Sequence, residues 1–222
     1  MSILYTFWLG LFLMFTASPS TPTEPSVSDS SASLVEQTIT GRCGYAPSRP
    51  QVKAYDTFIP LEGMSFGNPD AKVTMIEFYD PNCGHCKQAH PIMQAVQASY
   101  GSNARMAYVP FPIWNRSHNQ TEALYEAAVQ GKYLEMVDIQ FKNQRRRGLS
   151  DRQLIDFAAE IGMDTDKLAK ALVEGTHRKQ MIKIRDMIDA AGVSSTPTIW
   201  INGKTVNTLN VDCIGSLILD EG

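Results

Sequence analysis

Two cysteines with two residues between them, in the run Cys83-Gly84-His85-Cys86, are the positions whose type and spacing most directly imply chemistry. If such a pair opens a helix, one turn brings both sulfurs within bonding range. The first sulfur then sits at the helix N-terminus, where free backbone N–H groups and the helix dipole favour a thiolate. On this reading Cys83 is the nucleophile and Cys86, one turn in and more buried, resolves the mixed disulfide. His85 between them stabilises the thiolate by charge or hydrogen bonding, which makes the disulfide more oxidising. The same spacing also serves zinc, but zinc wants four ligands, usually as a second Cys/His pair. His90 is near in sequence, whereas Cys43 and Cys213 are remote singles. An inert structural disulfide is the third use. Redox chemistry is the expectation, with no metal and no cofactor.

The flanking pattern supplies the elements that would position this pair. Val73 to Tyr79 (VTMIEFY) is β-branched and aromatic between two turn-rich runs, and reads as a buried central strand. The cysteine pair then opens a helix running to about Tyr100 and closed by Gly101. Arg105 to Phe111 reads as a second strand, parallel to the first because a helix crosses between them. Stripes at Ala123, Leu124 and Ala127, at Tyr133, Met136, Val137 and Phe141, and at Leu154, Phe157, Ala158 and Ile161 predict a set of helices. Ser150 is a candidate N-cap, as is Asp164 or Thr165 for a further helix. A last helix with Met181, Ile184 and Ile188 stops at Gly192. Thr198 to Ile201, Asn202-Gly203 and Lys204 to Thr208 read as a hairpin, and Asp212 to Leu219 as a short terminal helix.

The segment Ile76-Glu77-Phe78-Tyr79-Asp80-Pro81-Asn82-Cys83-Gly84-His85-Cys86 closely resembles the active-site segment of protein disulfide isomerases and thioredoxins. Pro91 falls five after Cys86, where that superfamily kinks its active-site helix. Thr196-Pro197 resembles its cis-proline loop, which faces the disulfide and receives substrate backbone. The long helical lobe between the second strand and this loop looks like the DsbA group. The fold class implied is α/β, a thioredoxin fold with an inserted helical lobe at about 115–191. By the same resemblance Glu77 is a buried acid of raised pKa that relays a proton to or from Cys86, rather than a carboxylate facing solvent. Asn82 departs from the aromatic residue often found just before the first cysteine. His90 reads as an exposed helix residue, and His118 and His177 carry no assigned role. Asn115-Arg116-Ser117 and Asn119-Gln120-Thr121 match the glycosylation pattern and are taken as chance matches.

The chain begins with about fifteen nearly apolar residues, Ile3 to Ala17, followed by Ser18-Pro19-Ser20. That is short for a membrane span, which takes roughly 20 residues, and suited to a signal-peptide core. Residues 1–17 are thus expected to export the chain to the periplasm or another extracytoplasmic space, as a cleaved signal or an uncleaved anchor that tethers it to the membrane. Residues 18–33 are rich in Ser, Thr, Pro and acids and read as a disordered linker. An N-terminal extension over 34–66 and a thioredoxin-fold domain over 67–222 complete the division. In an oxidising compartment Cys43 and Cys213 could pair within the chain, stay free or pair between chains.

With 43% hydrophobic residues, 19% charged residues and a net charge of -3, the composition is that of an ordinary globular protein without the footprint of a nucleic-acid binder. Arg145-Arg146-Arg147 is the one dense basic run, read as a solvated loop. The function expected is a thiol–disulfide oxidoreductase that passes the Cys83–Cys86 disulfide to substrate proteins, most simply as an oxidase. The partners would be reduced or misoxidised proteins and, as the resemblance implies, a membrane quinone-linked protein that reoxidises the pair. An isomerase or reductase of the same fold is the alternative, and a chaperone-like binding module with a structural disulfide is the alternative from another class.

Overall fold

The computed structural model describes residues 42–222. The signal or anchor expected over 1–17, the linker over 18–33 and the start of the N-terminal extension lie outside the described residues. The core is a five-stranded sheet of order β1-β3-β2-β4-β5, made of β1 (Ser65–Gly67), β2 (Val73–Tyr79), β3 (Ala104–Pro110), β4 (Thr198–Ile201) and β5 (Lys204–Thr205). Only β2 and β3 run parallel, joined by the crossover helix α1 (Gly84–Tyr100). β4 is antiparallel to β2, β5 to β4, and β1 to β3.

Every residue of β2 is buried, which explains why its sequence is apolar except at Thr74 and Glu77: both faces of a central strand are covered. Ile76 and Phe78 face a cluster with Phe58, Val109, Ile184, Ile188 and Trp200. There the Trp200 ring meets Phe78 edge-on at 4.6 Å between centroids and Phe58 at 5.2 Å. Met75 and Tyr79 face the larger cluster, shared with α1, the helical lobe and the terminal helix.

The lobe consists of α2 (His118–Val129), α3 (Tyr133–Lys142), α4 (Asp151–Glu160), α5 (Thr165–Glu174) and α6 (Arg178–Ala190). Ser150 caps α4 in a reciprocal capping box with Gln153, and the Asp164 side chain caps α5. The terminal helix α7 spans Val211–Glu221. The thioredoxin arrangement with a helical insertion is the one the chain adopts.

Three features depart from the sequence reading. β1 forms across the boundary drawn between the extension over 34–66 and the domain over 67–222, because Ser65–Gly67 need only three residues to edge the sheet against β3. The hairpin is shorter than Lys204 to Thr208. Its second strand ends at Thr205, where an incoming segment takes over: Ala46 N–H donates to Thr205 O at 2.8 Å and Tyr45 bridges Val206. That segment belongs to the extension assigned to 34–66. From Cys43 onward it is part of the same body, with Phe58 and Met64 in the core and a disulfide between Cys43 and Cys213, Cα atoms 5.5 Å apart.

Candidate active site

The loop that ends β2 places the cysteine pair. Asp80 is fully buried and folds back on its own chain. Its Oδ1 accepts from the Asn82 N–H at 2.7 Å and from the Ser117 hydroxyl at 2.7 Å, and its Oδ2 accepts from the Ile113 N–H at 2.7 Å. The Asp80 carbonyl accepts from the Cys83 N–H at 2.9 Å. Burial raises the Asp80 pKa, opposed by these donors. Asp80 therefore sets the turn and pins it to the segment after β3. From the other side Gln144, in the loop after α3, donates to Pro81 O at 3.0 Å and to Cys83 O at 2.9 Å.

Cys83 is thereby held as the N-cap of α1, with extended backbone angles and no side-chain cap of its own. Cys83 and Cys86 are both free thiols, and both are buried, Cys86 completely. The Cys83 thiol donates to the Thr196 carbonyl at 3.4 Å, bringing in the loop that enters β4 through the cis Thr196-Pro197 bond. Four donors favour the Cys83 thiolate: the Cys86 S–H first, then the Cys86 backbone N–H, the Thr196 hydroxyl and the His85 backbone N–H. Against the opposing effect of burial they pull the Cys83 pKa down to about 5. Burial first, and then the neighbouring Cys83, drive Cys86 far up. Among the described residues the Thr196 hydroxyl is buried with no hydrogen-bond partner while Cys83 keeps its proton. It is a donor held ready for an ionised sulfur.

Glu77 lies on β2 at 3% exposure. Burial, then Cys83, raises its carboxyl to about 8, so near neutral pH it carries a proton. An acid that holds its proton at pH 7 beside the pair can give it to one sulfur and reclaim it later.

The site thus brings together Cys83, Cys86, Glu77, Thr196 and Pro197. The His85 side chain is exposed, and its backbone N–H is among the donors that favour the Cys83 thiolate. His90, expected to be exposed, is buried. Its Nε2 lies 2.7 Å from Asp138 Oδ1 on α3, because the inserted lobe covers the face of α1 that the isolated helix pattern leaves open. His177 pairs with Glu126 at 2.8 Å within the lobe. Cys43 and Cys213 are joined in the disulfide described above, and neither pairs with Cys83 or Cys86. Among the described residues no group of three or more His, Cys, Asp or Glu side chains could hold a metal ion.

Two positioning residues escaped the sequence reading. Asp80 was legible, since an Asx turn in Asp-Pro-Asn is a local signal. Gln144 was not, lying 61 residues from Cys83 in the chain.

The family model described as thioredoxin matches residues 61–220. A sodium/proton antiporter NhaA of Salinispora tropica is 26% identical over 157 residues, which cover 69% of this chain and 24% of that protein. The chain spans about a quarter of the length of such curated relatives. The crystal structure of oxidised BdbD from Bacillus subtilis superposes with a TM-score of 0.67 at 22% identity, covering 80% of this chain and 98% of that one. The thiol–disulfide exchange protein alpha-DsbA2 of Wolbachia pipientis matches with a TM-score of 0.65 at 18% identity, covering 76% and 92%.

Proposed function

The chain belongs to the thioredoxin family, and we propose that within it this protein is a thiol–disulfide oxidoreductase that works as an oxidase of protein thiols. The observation that carries the reading is the asymmetry of the pair: Cys83 holds an acidic thiol under Thr196, and Cys86 holds a buried, very weakly acidic one. A low-pKa sulfur is a good leaving group, and a stabilised Cys83 thiolate favours the reduced enzyme, so the disulfide gives up its oxidising equivalents readily.

The reaction runs in two exchanges. A substrate thiolate attacks the Cys83 sulfur of the Cys83–Cys86 disulfide. Cys86 leaves and takes a proton, for which Glu77 is the adjacent source. A second substrate thiolate then attacks the substrate's own sulfur in the mixed disulfide, and Cys83 leaves as the thiolate. The substrate loses two electrons and gains a disulfide, and the enzyme is left reduced, with Cys83 as the thiolate and Cys86 as the thiol. The Thr196 carbonyl lies 3.4 Å from the Cys83 sulfur, and substrate backbone would lie along the Thr196-Pro197 loop. A membrane-bound, quinone-linked protein would restore the disulfide. An extracytoplasmic location fits the Cys43–Cys213 disulfide, since such bonds persist in oxidising compartments.

The test is the equilibrium of the pair with glutathione buffers, together with oxidation of a reduced protein by the disulfide form. A potential near that of strong oxidants, about -120 mV, with stoichiometric oxidation of substrate, supports the oxidase. A potential of about -270 mV would make the protein a reductase. A wild type with no more redox activity than Cys83→Ala would leave a binding module in its place.

A further inference from the structure

The basic run Arg145-Arg146-Arg147 stands beside the reactive cysteine. Gln144, immediately before it, donates to the carbonyls of both Pro81 and Cys83. Behind it the chain turns at Gly148, whose N–H donates to Arg145 O at 2.9 Å and whose φ of +81° is in the left-handed region. A Cβ at Gly148 would stand 3.1 Å from the Arg116 carbonyl, so the turn abuts the segment that carries Arg116. That segment is itself bound to the cysteine loop, with Asn82 Nδ2 donating to Ser117 Oγ at 3.0 Å. Lys87, one residue after Cys86, lines a shallow depression with Lys142 at the end of α3. All six cations are exposed, and among the described residues none of them pairs with an acid. Asp138, which lines the same depression, is bound to His90 and Gln94, and Asp151 accepts from Asn119. The two acids nearest the pair, Glu77 and Asp80, are buried.

This collar lies on a chain whose net charge is -3, so the positive charge is a local feature of the catalytic rim. Charges beyond about 8 Å are screened at physiological salt, which makes the rim rather than the whole molecule decide what approaches the sulfur. We propose that Lys87, Arg116, Lys142 and Arg145–Arg147 select substrate polypeptides that carry acidic residues next to the reacting cysteine. The inference rests on the oxidase reading and names the substrate class of that same site. A polypeptide fits better than an anionic bilayer, because a flat surface on this rim would cover Cys83 itself.

The experiment uses the disulfide form of the protein and two peptides, each with two cysteines, flanked by glutamates in one and lysines in the other. The quantity read is the ratio of their second-order oxidation rates at low and physiological salt. The expected ratio favours the acidic peptide by about tenfold or more at low salt and shrinks as salt rises. It should collapse toward unity in the Arg145→Gln, Arg146→Gln, Arg147→Gln variant and persist when the three are Lys. Because each ratio is taken on one protein, a partly misfolded variant slows both peptides and leaves the ratio readable. Equal rates in the wild type, or a ratio unmoved by the triple Gln variant, would overturn the proposal. So would binding of phosphatidylglycerol vesicles without any peptide preference. If neither peptide is oxidised at any salt, the oxidase reading itself fails and this inference falls with it.

Discussion

Glu77→Gln offers a direct test of the buried acid, because its effect on stability must change with pH in a known direction. In the folded protein burial and Cys83 hold the carboxyl at about 8, against an ordinary value of 4.5. Below about pH 4.5 folded and unfolded chains both carry the proton, and Glu77 contributes no pH-dependent term. Between 4.5 and 8 the unfolded chain loses its proton while the folded chain keeps it, so stability falls as pH rises. Above 8 both are ionised and the loss stays constant. At pH 7 the difference corresponds to about 3 kcal/mol, taking 1.36 kcal/mol per pKa unit. Gln has nearly the same shape and never titrates. The clean comparison is made in a Cys83→Ala, Cys86→Ala background with the Cys43–Cys213 bond intact, which removes the thiols and leaves burial, the larger cause of the shift. The figure of about 3 kcal/mol is then an upper value. Urea unfolding at pH 5, 6, 7 and 8 should show the Gln variant gaining on the Glu protein at each step. A gap that stays flat over this range would mean that Glu77 titrates as an ordinary carboxylate, and the proton-donor role would go with it.

Alkylation of the reduced protein should follow Cys83 ionisation with a midpoint near 5, while Cys86 stays unreactive through neutral pH; equal reactivity of the two at pH 6 contradicts the asymmetry. Thr196→Val removes a hydroxyl donor while keeping the shape, so the Cys83 midpoint should move upward and the disulfide become less oxidising in glutathione buffers. Cys43→Ser with Cys213→Ser opens a loop of 170 residues, and loop-closure entropy sets about 5 kcal/mol as the upper loss, measurable by urea unfolding. Gln144→Ala should leave the fold intact and slow disulfide transfer to peptides, since it frees the Pro81 and Cys83 carbonyls from their clamp; unchanged peptide kinetics would remove Gln144 from the positioning set.

What the sequence determined by itself is whatever depends on near neighbours. The β-branched and aromatic run of Val73–Tyr79 reads as a buried central strand because strand propensity and burial are carried by a few adjacent residues. The Ser150 and Asp164 caps read correctly for the same reason, each side chain bonding an N–H two or three residues on. The placing of Cys83 ahead of a helix is likewise local, since the turn chemistry of Asp80-Pro81-Asn82 ends the strand and Gly84 starts α1. Long-range packing decided the rest. Thr196, 113 residues from Cys83, sets the environment of the thiol only once β4 pairs with β2. Gln144 reaches the cysteine loop, and His90 is buried against Asp138, because the inserted lobe folds back over α1. Cys43 meets Cys213 across 170 residues because the N-terminal segment pairs at Val206 beside α7. Neither spacing nor periodicity carries these contacts: they arise when elements far apart in the chain are brought together by burying their apolar faces, and the partners of each polar group follow from that packing.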